Sequence, residues 1–405
     1  MINNKPDVVM VGLGYIGLPT AALIAGKGLQ ITGVDVSKEV VNTINKGEIH
    51  IVEPDLDGLV HHVVKKGRLK ASTVPVEADV FLIAVPTPFK ENYQPDLTYV
   101  ESAISAIMPY LKAGALVIIE STSPVGTTEK MQELIHKNRP ELKGKFYMAY
   151  CPERVLPGNI IYELEHNDRA IGGINEASTQ KAIAFYKHFV KGELHATNAR
   201  TAEMCKLVEN ASRDGQIAFA NELSMICDKA GINVWELIKL ANKHPRVNIL
   251  QPGTGVGGHC IAVDPWFIVS EFPGESKLMR AAREINNYKT QWVIEKIKNK
   301  ALAFEIENKR KPLIACLGLA FKPNIDDLRE SPAVKVVEAM EREGLQLLKV
   351  EPNLHNGRAQ GLTDYNDALQ KADIIVFLVA HKEFFKLKTE KPVLDFCGVF
   401  KESLI

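Results

Sequence analysis

A chain of 405 residues is too long for one hydrophobic core and implies two or three domains of ordinary size. Its 49 basic and 49 acidic residues cancel, so no overall field draws it to nucleic acid or to an acidic membrane surface, and any anion site must be local. A content of 46% hydrophobic and 24% charged residues excludes a disordered chain, and no apolar run approaches the roughly 20 residues of a membrane helix. The six cysteines are scattered, without the close pairs of a zinc site or redox disulfide, and no signal peptide follows Met1. A cytoplasmic protein without a metal centre is expected.

In chain order, apolar runs of strand length at 8–11, 31–34, 80–85, 116–120 and 146–150 alternate with helical segments, which predicts βαβ units and a parallel sheet. Residues 202–229 read as one long helix stopped by Gly231, and Asn233-Val234-Trp235-Glu236 starts another in capping-box fashion. Gly215 sits inside the long helix, where glycine costs about 1 kcal/mol relative to alanine. A further helix near 275–304 carries Leu278, Ala281, Ile285, Trp292 and Ile297 on an apolar stripe and links this helical middle to the rest. After the polar segment 308–312, strand signals at 313–317, 346–350 and 374–379 predict a closing α/β domain on a plan similar to the first.

Gly12-Leu13-Gly14-Tyr15-Ile16-Gly17 follows the first strand directly and opens a helical stretch near Leu18. The first glycine permits the tight turn, the second lets backbone approach a pyrophosphate, and the third allows close helix packing. Asp35 ends the second strand, 21 residues beyond Gly14, where a carboxylate accepts from ribose hydroxyls and repels a 2′-phosphate. A lone glycine motif is as often a structural turn, but this position, context and acid favour a Rossmann domain that binds NAD. The loops Pro86-Thr87-Pro88 and Ser121-Thr122-Ser123 then fall at the carboxyl edge of the sheet, where ligands bind.

Residues 252–264 place Gly253, Gly255, Gly257 and Gly258 just before Cys260, with Asp264 four residues on. Glycine-rich backbone offers amide hydrogens to an anion, and a thiol near positive charge becomes a nucleophilic thiolate. Cys260 is the candidate nucleophile, whereas Cys151, Cys205, Cys227, Cys316 and Cys397 are expected to be buried and inert. His259 is read as structural. Lys206 and Asn210 stand four apart and share a helix face, as a solvated pair or as two donors to one reacting oxygen.

Together, residues 12–17, Ser121-Thr122-Ser123-Pro124-Val125-Gly126, Lys206 with Asn210, the 253–264 loop and Phe321-Lys322-Pro323-Asn324-Ile325-Asp326-Asp327-Leu328-Arg329-Glu330-Ser331 resemble the UDP-glucose/GDP-mannose dehydrogenase family. The likeness runs in one order along nearly the whole chain. Residues 151–158, with Glu153, Arg154 and Val155, and residues 244–253, with Arg246 and Asn248, are similar to its UDP-N-acetyl-D-mannosamine branch. The glucose branch carries a second glutamate in place of Pro157 and a lysine in place of Val263.

The resemblance implies an NAD-binding Rossmann domain over 1–198, a central helical dimerisation domain over 199–307 and a UDP-sugar-binding α/β domain over 308–405. It implies oxidation of the sugar C6 hydroxymethyl to carboxylate with two NAD and one water, through a thiohemiacetal and a thioester on Cys260. Lys206 and Asn210 would stabilise the oxyanion, Asp264 would orient water or tune Lys206, Thr122 would hold a water, and Glu153 is the remaining candidate base. Gly12, Gly14, Tyr15, Ile16, Gly17, Asp35, Thr87, Thr122 and Arg329 would bind the cofactor. Glu153, Arg154, Val155, Lys206, Asn210, Arg246, Asn248, Gly253, Gly257, Phe321 and Lys322 would bind the UDP-sugar, with Arg246 reaching across a homodimer. A role in a bacterial surface polysaccharide such as enterobacterial common antigen goes with that branch. UDP-N-acetylglucosamine or UDP-glucose as substrate, a two-electron β-hydroxyacid dehydrogenase and a silent NAD-binding scaffold are the competing readings; the β-hydroxyacid dehydrogenase needs no cysteine loop, and the set Lys206, Asn210, Cys260 and Asp264 speaks against the scaffold.

Overall fold

The computed structural model describes residues 7–90, 93–155, 158–258, 260–354 and 360–400; His259 and Pro157 lie outside them. The chain forms two compact units, Met1–Glu209 and Asn210–Ile405, and the division falls inside the helix Ala199–Ala230. No helix among the described residues is long and apolar enough to cross a membrane.

The first unit holds one sheet of eight strands: β1 (Val8–Val11), β2 (Ile31–Val34), β3 (Leu69–Ser72), β4 (Val80–Ile83), β5 (Leu116–Ile119), β6 (Tyr147–Tyr150), β7 (Arg169–Gly173) and β8 (Leu194–Asn198), in the order β3-β2-β1-β4-β5-β6-β7-β8. The first six are parallel in the doubly wound order of a Rossmann fold. β1, β4 and β5 are buried along their whole length, as continuous apolar runs covered on both faces must be. The wholly parallel sheet expected from the alternation ends at β6, because β7 runs antiparallel to it. β3, β7 and β8 carried no strand signal: LKAS and LHATN are half polar, and RAIGG ends in glycines.

In the second unit, β9 (Leu313–Leu317), β10 (Gln346–Val350), β11 (Ile374–Phe377) and β12 (Val393–Asp395) form a parallel sheet in the order β10-β9-β11-β12. The second half of the helix Lys277–Asn308 packs on it through Ile294, Ile297 and Ala301. The first half does not bury the expected stripe, since Leu278 is 81% exposed and Ala281 is exposed. Its inward face carries Arg283, Asn286 and Lys289 instead, because the neighbouring helix supplies them with hydrogen-bond partners, although Arg283 Nε and Asp214 Oδ2 are buried without one. Arg283 Nη1 and Asn286 Nδ2 donate to Asp214 Oδ1 at 2.6 and 2.7 Å, Asn221 Nδ2 donates to Asn286 Oδ1 at 2.9 Å, and Lys289 Nζ donates to Ser224 Oγ at 2.7 Å. Burial pushes the Lys289 ammonium down to about 7.

Gly215 borders this ladder, yet a Cβ built on it meets nothing within 4 Å. Gly215→Ala should therefore stabilise the helix by about 1 kcal/mol and raise the melting temperature by roughly 2–4 °C. A thermal melt showing a decrease would mean that another surface occupies that space.

Candidate active site

The turn after β1 can be made only with glycine at two positions. Gly12 has φ +92°, and a Cβ there would lie 2.3 Å from the Ala84 carbonyl oxygen; at Gly17 it would lie 1.8 Å from that of Gly12. Gly14 faces open space within 4 Å, as backbone approached by a pyrophosphate must. The buried helix Gly17–Gly26 starts there, with its first amides pointing at the loop. Tyr15 and Ile16 sit on the loop's surface, and the Tyr15 hydroxyl donates to the Val52 carbonyl at 3.0 Å. Asp35 is half-buried and oriented by the Leu13 and Ser37 amides, which donate to its two oxygens at 3.0 and 2.9 Å. Each oxygen keeps a lone pair for a ribose hydroxyl, so these residues fit a dinucleotide.

Three further loops leave the same carboxyl edge. Ser121 Oγ accepts from the Val85 amide at 2.9 Å and donates to the Val85 carbonyl at 2.8 Å, tying the loop of Thr87 to that of Thr122; both threonines are half-buried. Past β6, Glu153 is 8% exposed and accepts from Arg169 Nη1 at 2.9 Å and from the Arg154 amide at 2.7 Å. Arg154 is paired with Glu209 at 2.8 Å, and Val155 packs on the core. Behind them Glu120 is buried, which pushes its carboxyl up to about 7, and the Tyr186 hydroxyl donates to it at 2.6 Å. The buried partners Arg169 and Glu120 were missed from sequence, because nothing local marks two charges as pairing partners of a loop elsewhere.

In the second unit two of the glycines before Cys260 are required by close packing. A Cβ on Gly257 would lie 2.6 Å from the Glu330 carbonyl oxygen, and one on Gly258 would lie 3.0 Å from the Phe321 ring. The Gly258 amide donates to the Arg329 carbonyl at 3.1 Å and the Gly253 amide to Asn221 Oδ1 at 2.9 Å. Gly257 and Gly258 are thus needed for close packing on 321–332, and the amides of Gly253 and Gly258 are already spent rather than held for an anion. Cys260 follows at once and is exposed. Its carbonyl accepts from the Val263 and Asp264 amides at 3.0 and 2.8 Å, at the start of the helix Asp264–Glu271. Asp264 is 3% exposed, and its Oδ2 accepts from Asn210 Nδ2 at 2.6 Å. Asn210 lies one helical turn beyond Lys206, which is half-buried.

The other cysteines differ sharply. Burial pushes the thiols of Cys316 and Cys151 up to about 12 and 11 and raises those of Cys227 and Cys397, which disfavours their thiolates at neutral pH. Cys205 is half-buried. Arg246 and Asn248 sit on an exposed loop pinched at its base by Asn242, whose side chain bonds both the amide and the carbonyl of Ile249, at 2.7 and 2.9 Å.

At the carboxyl end of β9, Phe321 and Lys322 are half-buried, while Arg329 is exposed and bonded to Asp327 at 2.6 Å. This segment is pinned by a buried pair: His381 Nδ1 accepts from the Asn324 amide at 2.9 Å, so Nε2 carries the proton and donates to Glu351 at 2.9 Å. Glu351 also accepts from the Leu319 and Ala320 amides, at 2.7 and 2.9 Å.

Three family models match the chain: the NAD binding domain of the UDP-glucose/GDP-mannose dehydrogenase family over residues 6–190, its central domain over 200–288 and its UDP binding domain over 315–402. The UDP-N-acetyl-D-mannosamine dehydrogenase of Campylobacter jejuni is 55% identical, with 98% of this chain and 100% of that protein aligned. The NDP-N-acetyl-D-galactosaminuronic acid dehydrogenase of Ralstonia nicotianae is 53% identical, over 98% and 97%. Among solved structures, the UDP-N-acetyl-mannosamine dehydrogenase of S. aureus superposes with TM-score 0.87 at 39% identity, over 98% of this chain and 96% of that one. The UDP-D-ManNAc dehydrogenase of Pyrococcus horikoshii gives 0.87 at 38%, over 98% and 97%.

Burial would raise the Glu351 carboxyl, but hydrogen bonds from His381 and from the Leu319 and Asn353 amides hold it below its ordinary 4.5. A lowered carboxylate contributes stability that is full above pH 4.5 and is lost as pH falls through the folded-state value. His381→Phe should therefore cost about 2 kcal/mol in urea denaturation at neutral pH, with the gap from wild type shrinking below pH 4.5. A gap that stays constant with pH would contradict this account of the pair.

Proposed function

Since the chain belongs to the UDP-glucose/GDP-mannose dehydrogenase family, we propose that it converts UDP-N-acetyl-D-mannosamine to UDP-N-acetyl-D-mannosaminuronate by oxidising the C6 hydroxymethyl group. It is an NAD-dependent oxidoreductase. The observation that carries the proposed route is Cys260, the one exposed thiol of six, on backbone anchored beside the Asn210–Asp264 pair.

When bound, NAD supplies hydride acceptance at each of two successive oxidations. Gly12, Gly14, Ile16 and Gly17 approach its pyrophosphate, Asp35 binds its ribose, and Tyr15, Thr87, Thr122 and Arg329 contact it. The Cys260 thiolate attacks the aldehyde carbon left by the first oxidation; a C–S bond forms, and the carbonyl oxygen becomes an oxyanion toward which Lys206 and Asn210 donate. After the second oxidation the sulfur holds a thioester. Water adds to its carbonyl carbon, the C–S bond breaks, the sulfur leaves as thiolate, and a carboxylate is released together with two protons, which pass to solvent. Asp264 holds Asn210 in place and orients that water, and Thr122 holds another. Each Glu153 oxygen accepts one bond and keeps a lone pair, so we assign Glu153 to taking the C6 hydroxyl proton and, through the Arg154 amide, to orienting Arg154 and Val155 against the sugar. Gly253, Gly257, Phe321 and Lys322 contact the sugar nucleotide, whose UDP moiety belongs to the C-terminal domain.

We further propose that the chain works as a homodimer, with Arg246 and Asn248 reaching the partner's substrate and the domains divided at 198 and 307. The exposure of Arg246, and of Phe219, Ile226 and Tyr288 at 56–58% on the two long helices, supports this. Six thiols without a disulfide fit the cytoplasm, and the uronate product fits consumption in a bacterial surface polysaccharide such as enterobacterial common antigen.

Two NADH should form per UDP-N-acetylmannosamine consumed, with UDP-N-acetylglucosamine, UDP-N-acetylgalactosamine and UDP-glucose turned over far more slowly. One NADH per sugar would remove the thioester route, and preference for another sugar would reassign the substrate. Cys260→Ala should abolish carboxylate formation while NAD binding persists; near-normal turnover would move the nucleophile elsewhere.

A further inference from the structure

The helix Thr127–Asn138 has no capping side chain of its own, because its N-cap residue is Gly126, in left-handed backbone at φ +87°. Its cap comes from a distant part of the sequence. Glu203, fully buried, accepts from the Gly126 amide at 2.6 Å, the Thr128 amide at 2.8 Å and the Thr128 hydroxyl at 2.6 Å. Three donors on one buried carboxylate, at the positive end of a helix, make a joint with little freedom.

What the joint connects gives it meaning. Glu203 lies three residues before Lys206 on the helix Ala199–Ala230, so the two share a face. On the other side, Gly126 ends the loop 121–126, which carries Thr122 and is tied through Ser121 to the loop of Thr87. A serine or aspartate next to the helix start would satisfy the same amides without burying a charge. Here the cap is delegated to the helix of the candidate catalytic lysine, and desolvation raises the Glu203 carboxyl even against its donors. The same two helices are also joined by Arg200 and Glu129 at 2.6 Å, but both are exposed, and such pairs contribute little.

We infer that Glu203 is a positioning residue: it holds Lys206 in register with the loop 121–126, so that the ammonium and Thr122 address the same substrate. The inference rests on the reading of Lys206 as an oxyanion donor. An error of about 1 Å in such a register is worth roughly 100-fold in rate.

The test compares wild type with Glu203→Gln, Thr128→Val and Arg200→Ala, by NADH formation from UDP-N-acetylmannosamine and by amide hydrogen exchange. Glu203→Gln should lower kcat by about 10- to 100-fold with KM for NAD and UDP-sugar within about twofold, and exchange should quicken in 121–130 and 199–208. Thr128→Val, which loses one donor, should show a smaller loss of the same kind, and Arg200→Ala should stay within about twofold of wild type. An unchanged kcat in Glu203→Gln, or a loss confined to KM, overturns the inference. If wild type itself oxidises no UDP-sugar, the proposed reaction has failed, and the exchange comparison still decides: equal exchange in both segments overturns the joint, faster exchange supports it. Should Glu203→Gln not fold, Thr128→Val is judged by the same two readouts.

Discussion

The second unit depends on a close approach of backbone to backbone. Residues 257 and 258 lie against 321–332 so tightly that no side chain fits, and the Gly258 amide is bonded across the contact. Cys260 emerges two residues later with its carbonyl held by the Val263 and Asp264 amides. The result is an exposed cysteine held at its backbone, which suits a nucleophile that must attack one carbon repeatedly. The start of the same loop is held by Asn221, the last member of the buried ladder through Asn286, Asp214 and Arg283. Polar groups at the core of two long helices thus fix a loop as well as the helix pairing.

The two sheets repeat one device and use it differently. After β1 and after β9 a glycine with φ near +90° makes the turn, and an acid at the end of the neighbouring strand accepts from the turn's amides. Asp35 is half-buried and can still accept from a ribose. Glu351 is 4% exposed and closed in by His381, Asn353 and two amides, so it can no longer read a ligand and pins the 321–332 segment instead. One topology therefore serves dinucleotide recognition in one unit and loop support in the other.

Much of this was legible in the sequence. The strands β1, β2, β9 and β10 fall on the expected residues; β1 and β9 are apolar runs of the kind a sheet covered on both faces buries, while β10, QLLKV, is only partly buried. The long helix and the Asn233 cap were likewise marked by local chemistry, and Asn233 Oδ1 does accept from the Trp235 and Glu236 amides. What escaped depends on partners far along the chain. The inward face of the helix Lys277–Asn308 is polar because Asp214, Asn221 and Ser224 meet it, and no periodicity shows that. The glycines near Cys260 read as an anion cradle, and the packing constraint on Gly257 and Gly258, some 70 residues away at Phe321 and Glu330, left no mark in the sequence. Glu203 and Arg169 are ordinary charges in sequence and buried joints in the fold.

The most direct test of the account is to mix enzyme with NAD and UDP-N-acetylmannosamine, quench in acid within milliseconds, and map the acyl adduct by peptide mass spectrometry. The account predicts the sugar acyl group on the peptide that contains Cys260, released by hydroxylamine. An adduct on another residue, or uronate formed with no adduct at any quench time, would contradict it.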